Sequence, residues 1–124
     1  CTGNSPAAVQ AMSCETLNSL IRSQEISKYQ LIDVREVHEL QMVKLDVVST
    51  INLPLSASKD WMPKISSGVL LDPALPTLCL CHHGVRSYQM ATFLGTEAGF
   101  SDVYNIEGGV DAFAREVDSS IGFY

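Results

Sequence analysis

The stretch Leu78-Cys79-Leu80-Cys81-His82-His83-Gly84-Val85-Arg86-Ser87 decides how the rest of the chain is read. It opens as a short apolar run, turns at a glycine and leads into helix-compatible residues. Residues 77–81 are apolar on both faces, as in a central parallel strand. Residues 87–98 carry Met90, Ala91, Phe93, Leu94 and Ala98, enough for a wide apolar face on a helix. Cys81 stands where the strand ends. A cysteine there meets the backbone N–H groups of the turn and the positive end of the helix. Both stabilise a thiolate and any anion it carries.

The loop is taken as six residues, Cys81 to Arg86. Its backbone can curl so that successive N–H groups point inward and form a nest for an anion. Gly84 permits the backbone angles such a curl needs. Arg86 closes the ring with a forked, permanently charged donor. A thiolate in an anion cradle suits attack on a sulfur or phosphorus centre, with the transferred group held covalently. Cys81 is therefore the candidate nucleophile, and His82, His83, Gly84, Val85, Arg86 and Ser87 are the candidate substrate-binding residues. His82 and His83 are adjacent and cannot both face one metal well. With Cys79 and Cys81 they complete no zinc spacing, so no metal or other cofactor is expected. Their N–H groups are expected to line the nest and their side chains to border its mouth. Cys79 shares a strand face with Cys81. A disulfide between them would be strained. Cys79 is read as a buried strand residue, with a resolving thiol as the lesser alternative.

Outward from the loop, short strands alternate with helices. Ser13 is a candidate N-cap for a helix over 14–23, with Leu17, Leu20 and Ile21 at helical spacing. Residues 29–34 read as a buried strand, 36–42 as a short helix and 47–51 as a second, β-branched strand. Residues 56–67 read as a helix in which Pro63 sits in the first turn or forms an interruption. Residues 103–106 form a last strand, Gly108-Gly109 a turn and 110–117 a final helix. Residues 1–12 read as a loose lead-in and 118–124 as an irregular tail. This alternation predicts an α/β fold, a central mostly parallel sheet with helices on both faces. Sites in such sheets form beyond the carboxyl ends of the strands. Asp33 and Arg35 fall at one such end. Charge on either side of Val34 suggests that the strand stops at a surface. The pair is either a surface ion pair there or a brace for the cysteine loop from the neighbouring strand.

The chain has 124 residues, 8 basic and 14 acidic, for a net charge of −6. The length suits one domain, 1–124, with an ordered core over about 12–117 and burial of roughly two-thirds of the unfolded surface. No basic cluster favours nucleic acid or an anionic membrane, and no stretch approaches the roughly 20 apolar residues of a membrane span. A monomer is expected. No Asp or Glu occurs in residues 73–96, the window that holds His82, His83 and Arg86. Burial of a strand and helix explains this, as does an anion site kept free of repulsion. Four cysteines without a disulfide framework fit an intracellular reducing compartment. The chain begins at Cys1 and is read as a processed form.

These residues together resemble the rhodanese family of sulfurtransferases in single-domain form. Leu31-Ile32-Asp33-Val34-Arg35-Glu36 resembles its first strand motif, and Asn52-Leu53-Pro54 its Asn-x-Pro element. Cys81-His82-His83-Gly84-Val85-Arg86-Ser87 resembles its Cys-x-x-Gly-x-Arg-Ser loop, and Gly99-Phe100 and Gly108-Gly109 its later landmarks. The His-His-Gly loop and the tail Val117-Asp118-Ser119-Ser120-Ile121 are similar to cyanobacterial and plant plastid members, so the resemblance implies plastid stroma or cytoplasm. It also implies a Cys81 persulfide. The sulfur would come from a small anionic donor such as thiosulfate, or from a protein persulfide, and pass to cyanide or a thiol acceptor. Residues 43–51 depart from the family by lacking a glycine before Asn-x-Pro, and Phe113 stands where Trp is common. Related phosphatases and arsenate reductases have five residues between Cys and Arg; here there are four. The competing expectations are a non-enzymatic rhodanese-like binding module and, behind it, a small phosphatase or arsenate reductase.

Overall fold

The computed structural model describes residues 9–43, 50–66, 71–72, 74–100 and 102–122. Its strands are β1 (Gln10–Met12), β2 (Gln30–Asp33), β3 (Ile51–Asn52), β4 (Thr77–Leu80) and β5 (Val103–Ile106). Its helices are α1 (Cys14–Arg22), α2 (Val37–Met42), α3 (Ser58–Ser66), α4 (Val85–Thr96) and α5 (Gly109–Glu116). The strands form one sheet in the order β1-β5-β4-β2-β3. Every pairing is parallel.

The sheet is legible in its side-chain alternation. Ile32, Cys79 and Val103 point to one face, where they pack with Trp61 and Ile65 of α3 and Met90, Ala91 and Leu94 of α4. Leu31, Leu78, Leu80 and Ile106 point to the other, against Cys14 and Leu17 of α1 and Val110 and Phe113 of α5. Burying each such aliphatic side chain contributes about 1.5–3 kcal/mol. All four residues of β4 are buried, as befits the middle strand of a sheet covered on both faces. The Ser13 hydroxyl accepts from the Thr16 N–H at 3.1 Å and caps α1 as the sequence suggests.

Four expectations change. Residues 10–12 are not lead-in but an edge strand in register with Tyr104, Asn105 and Ile106 of β5. Gln10 and Ala11 are exposed, so no apolar alternation marks the strand. Of the strand expected over 47–51, residues 47–49 lie outside the described residues; β3 is Ile51–Asn52, paired with Ile32 and Asp33. Pro63 neither starts nor breaks α3 but lies inside it. Its ring faces solvent, and one missing backbone bond in a nine-residue helix is tolerated. The tail closes with a 3-10 turn, Ser119–Ile121, capped by the Asp118 carboxylate on the Ser120 N–H at 3.0 Å.

Candidate functional site

Cys81 follows β4 directly and lies on the face that packs against α4. Gly84 takes φ +95°, and α4 starts at Val85, two residues earlier than the sequence predicts. A glycine in that conformation reverses the chain within four residues of the strand end. Arg86 and Ser87 thereby enter the first turn of a 12-residue helix whose positive end faces the cysteine. The Gly84 N–H donates to the Cys81 sulfur at 3.0 Å. Cys81 is only 1% exposed, so the sulfur sits at the bottom of the loop rather than on an open surface.

A second polar contact comes from Ser87, whose Oγ lies 3.4 Å from the Cys81 sulfur. The same hydroxyl donates a short hydrogen bond to Asn105 Oδ1. Asn105 Nδ2 in turn donates to the Gly84 carbonyl at 3.1 Å. A carbonyl only accepts, so Gly84 fixes which end of the Asn105 amide faces Ser87. Cys81, Gly84, Ser87 and Asn105 thus form one connected set from strand end, turn, helix and neighbouring strand. Asn105 went unread in the sequence. Its signal is a polar residue inside the otherwise apolar strand Val-Tyr-Asn-Ile, which must find partners once buried.

The loop is locked from behind by α5. The Val110 N–H donates to the Cys81 carbonyl at 2.9 Å, and the Asp111 N–H to the His82 carbonyl at 3.0 Å. This approach needs the Gly108-Gly109 turn. A Cβ on Gly109, at φ +61°, would stand 2.2 Å from the Cys81 carbonyl oxygen. A Cβ on Gly84 would stand 2.9 Å from the Gly108 nitrogen.

His82 is half-buried and His83 and Val85 are exposed, with the two imidazoles at a centroid distance of 3.8 Å. Both rings help to hold the Asp111 carboxyl below its ordinary range, after the larger effect of its hydrogen bond from Arg115. Among the described residues no group of three or more His, Cys, Asp or Glu is placed to hold a metal. The Cys79 thiol is pushed upward by burial, with the neighbouring Cys81 adding to the effect. The Cys14 thiol is pushed up to about 11, first by burial and then by Glu116.

Asp33 and Arg35 are not a surface ion pair. They are 2% and 0% exposed, and Arg35 Nη2 meets Asp33 Oδ2 at 2.8 Å. The chain beyond β2 turns inward, because Arg35 finds acceptors there. Its Nη1 donates to the Val43 carbonyl at 2.8 Å and to that of Glu39 at 3.4 Å. Asn52 Nδ2 donates to the Asp33 and Arg35 carbonyls, each at 2.9 Å. The pair is linked to the loop only indirectly. Arg35 holds α2, and α2 carries Glu39.

Glu39 is the other site residue that sequence reading missed. Its carboxylate takes a two-pronged bond from Arg86, Nη1 to Oε1 at 2.6 Å and Nη2 to Oε2 at 2.8 Å. The acid-free window around the loop is therefore met by an acid from elsewhere in the chain. Arg86 does not simply close the nest; its fork is engaged by a carboxylate. The signal was available: a cation in an acid-free, largely buried window needs a distant counter-charge.

With this geometry in view, the comparisons are specific. Residues 15–116 match the Rhodanese-like domain family. The chain belongs to that family. It is 42% identical over 95 residues, 77% of its length, to Rhodanese-like/PpiC domain-containing protein 12, chloroplastic, of Arabidopsis thaliana, and spans 30% of that protein. It is 26% identical over 98 residues, 79% of its length, to the thiosulfate sulfurtransferase GlpE of Shewanella oneidensis, spanning 88% of that enzyme. The solution structure of the polysulfide-sulfur transferase homodimer of Wolinella succinogenes superposes with a TM-score of 0.68 at 30% identity, over 87% of this chain and 74% of that one. Sulfurtransferases thus recur among its relatives. Among the described residues no helix is long and apolar enough to cross a membrane.

Proposed function

We propose that the chain is a sulfurtransferase that carries a sulfane sulfur on Cys81. The supporting observation is the Gly84 N–H held 3.0 Å from the Cys81 sulfur at the positive end of α4. That arrangement favours negative charge on the attacking sulfur and on the sulfur it receives. With thiosulfate as donor, the Cys81 thiolate attacks the outer sulfur. The S–S bond of the donor breaks and sulfite leaves with the electron pair. Cyanide then attacks the outer sulfur of the persulfide, forming thiocyanate and returning the thiolate. A thiolate acceptor takes the same sulfur and becomes a persulfide. Ser87 and Asn105 hold the turn in which this happens, and α5 fixes its far side.

The donor is a small anionic sulfane-sulfur compound or a protein persulfide, the acceptor is a small thiophile or a thiol, and a reducing compartment, plastid stroma or cytoplasm, suits a resting thiol. The four-residue spacing between Cys81 and Arg86 disfavours phosphoryl transfer, which needs room for a tetrahedral group. Turnover should therefore be measured with thiosulfate and cyanide and, in parallel, with an aryl phosphate. Thiocyanate production well above phosphate release is the expected outcome. The reverse order reassigns the chain to phosphoryl transfer, and inactivity with every sulfur donor and acceptor reassigns it to a binding module.

A further inference from the structure

We infer that Glu39 is a specificity-determining residue: by neutralising Arg86 at the loop, it selects singly charged persulfide donors over small dianions such as thiosulfate. The inference rests on the sulfurtransferase reading and deepens it.

The loop offers the Gly84 backbone N–H beside the sulfur, which recognises a sulfur anion without demanding a second charge. Full positive charge is another matter. The Arg86 guanidinium is joined at 2.6 and 2.8 Å to both oxygens of Glu39. Its side chain is 32% exposed and that of Glu39 11%, so water screens the pair only in part. Arg35 is likewise committed to Asp33, and Arg115 to Asp111 at 2.9 Å. Each pair is a dipole rather than a free charge. The chain as a whole is at −6. A dianion would gain twice as much as a monoanion from an uncovered guanidinium, and loses twice as much when a carboxylate covers it. The carboxylate is itself fixed, since Glu39 Oε1 also accepts from the Glu36 N–H at 2.9 Å. The donor that loses least is an alkyl or protein persulfide. The Cys81 thiolate attacks its terminal sulfur, the donor's S–S bond breaks, and the donor thiolate leaves with the electron pair.

Glu39→Gln tests this. The amide keeps an oxygen for the Glu36 N–H and for Arg86 but removes the charge. Steady-state kinetics with thiosulfate and with ethyl persulfide, whose only ionisable group is its terminal sulfhydryl, give the selectivity. The wild type should have the higher kcat/KM with ethyl persulfide. In Glu39→Gln the ratio should move toward thiosulfate by about tenfold, through KM rather than kcat, at low ionic strength. The gain should fade as salt is raised toward about 1 M. It should also vanish in Glu39→Gln/Arg86→Gln, where no cation is left to uncover. Equal changes for both donors, or an unchanged thiosulfate KM in a variant that melts as the wild type does, overturn the inference. Failure of both donors to load sulfur onto wild-type Cys81 overturns the sulfurtransferase reading beneath it instead.

Discussion

Two sulfurs two residues apart on one strand have different surroundings. Cys81 receives an amide N–H and lies beside a hydroxyl. Cys79 is fully buried among Ile32, Val103 and Leu94, where burial holds its thiol in the protonated form. A protonated, enclosed thiol is a poor nucleophile and cannot resolve a persulfide. Cys79→Ser should keep most of the activity per folded molecule while losing about 1–3 kcal/mol of stability, because a hydroxyl replaces a thiol in an apolar pocket. Activity assays scaled to the folded fraction check this, and loss of turnover in a stably folded variant would give Cys79 a chemical role. The sequence singled out Cys81, Gly84, Arg86 and Ser87 because local spacing carries them. Asn105 and Glu39 are 24 and 42 residues from Cys81 in sequence, and their partners became visible only when strands and helices were placed. Asp33 and Arg35 are legible as a pair, but a charged pair next to a strand end gives no sign from sequence of whether it faces in or out.

At the scale of elements, the β4–α4 turn depends on the β5–α5 turn behind it. Cys81 and His82 carbonyls accept from the first N–H groups of α5, and this contact needs a bare backbone at Gly109. Gly109→Ala should cost more than roughly 3 kcal/mol, combining a left-handed conformation with a collision against backbone that cannot swing aside. Gly99 is the natural control. It also has positive φ, +76°, but a Cβ there meets nothing within 4 Å. Gly99→Ala should cost only about 1–2 kcal/mol. Chemical denaturation of the two variants tests the claim, which fails if the two costs are equal. The helices were legible because caps and apolar periodicity coincide, as at Ser13 and along α4. β1 was not legible, since three residues with one buried side chain carry no period and are recruited only by the open edge of β5.

For the molecule as a whole, an all-parallel five-stranded sheet buried on both faces explains why the apolar strand ending in Cys81 organises the chain: β4 is the middle strand, and its carboxyl end is where loops from both halves converge. Global stability should report on the third buried thiol among the described residues, Cys14. Its sulfur lies 3.5 Å from the Gly109 carbonyl, and its pKa is raised from 9.0 to about 11. The folded state therefore holds this proton more tightly than the unfolded chain does. That contribution is complete below about pH 9 and is lost as pH rises through about 11. Urea midpoints across this range should fall less steeply in Cys14→Ala than in the wild type, and equal slopes would remove Cys14 from the account. The Cys81 persulfide can be read from the intact mass of the protein after incubation with thiosulfate or ethyl persulfide and removal of excess donor. The wild type should gain one sulfur atom, release it on addition of cyanide, and gain none once Cys81→Ser is made. No gain in the wild type, or the same gain in the variant, would contradict the account.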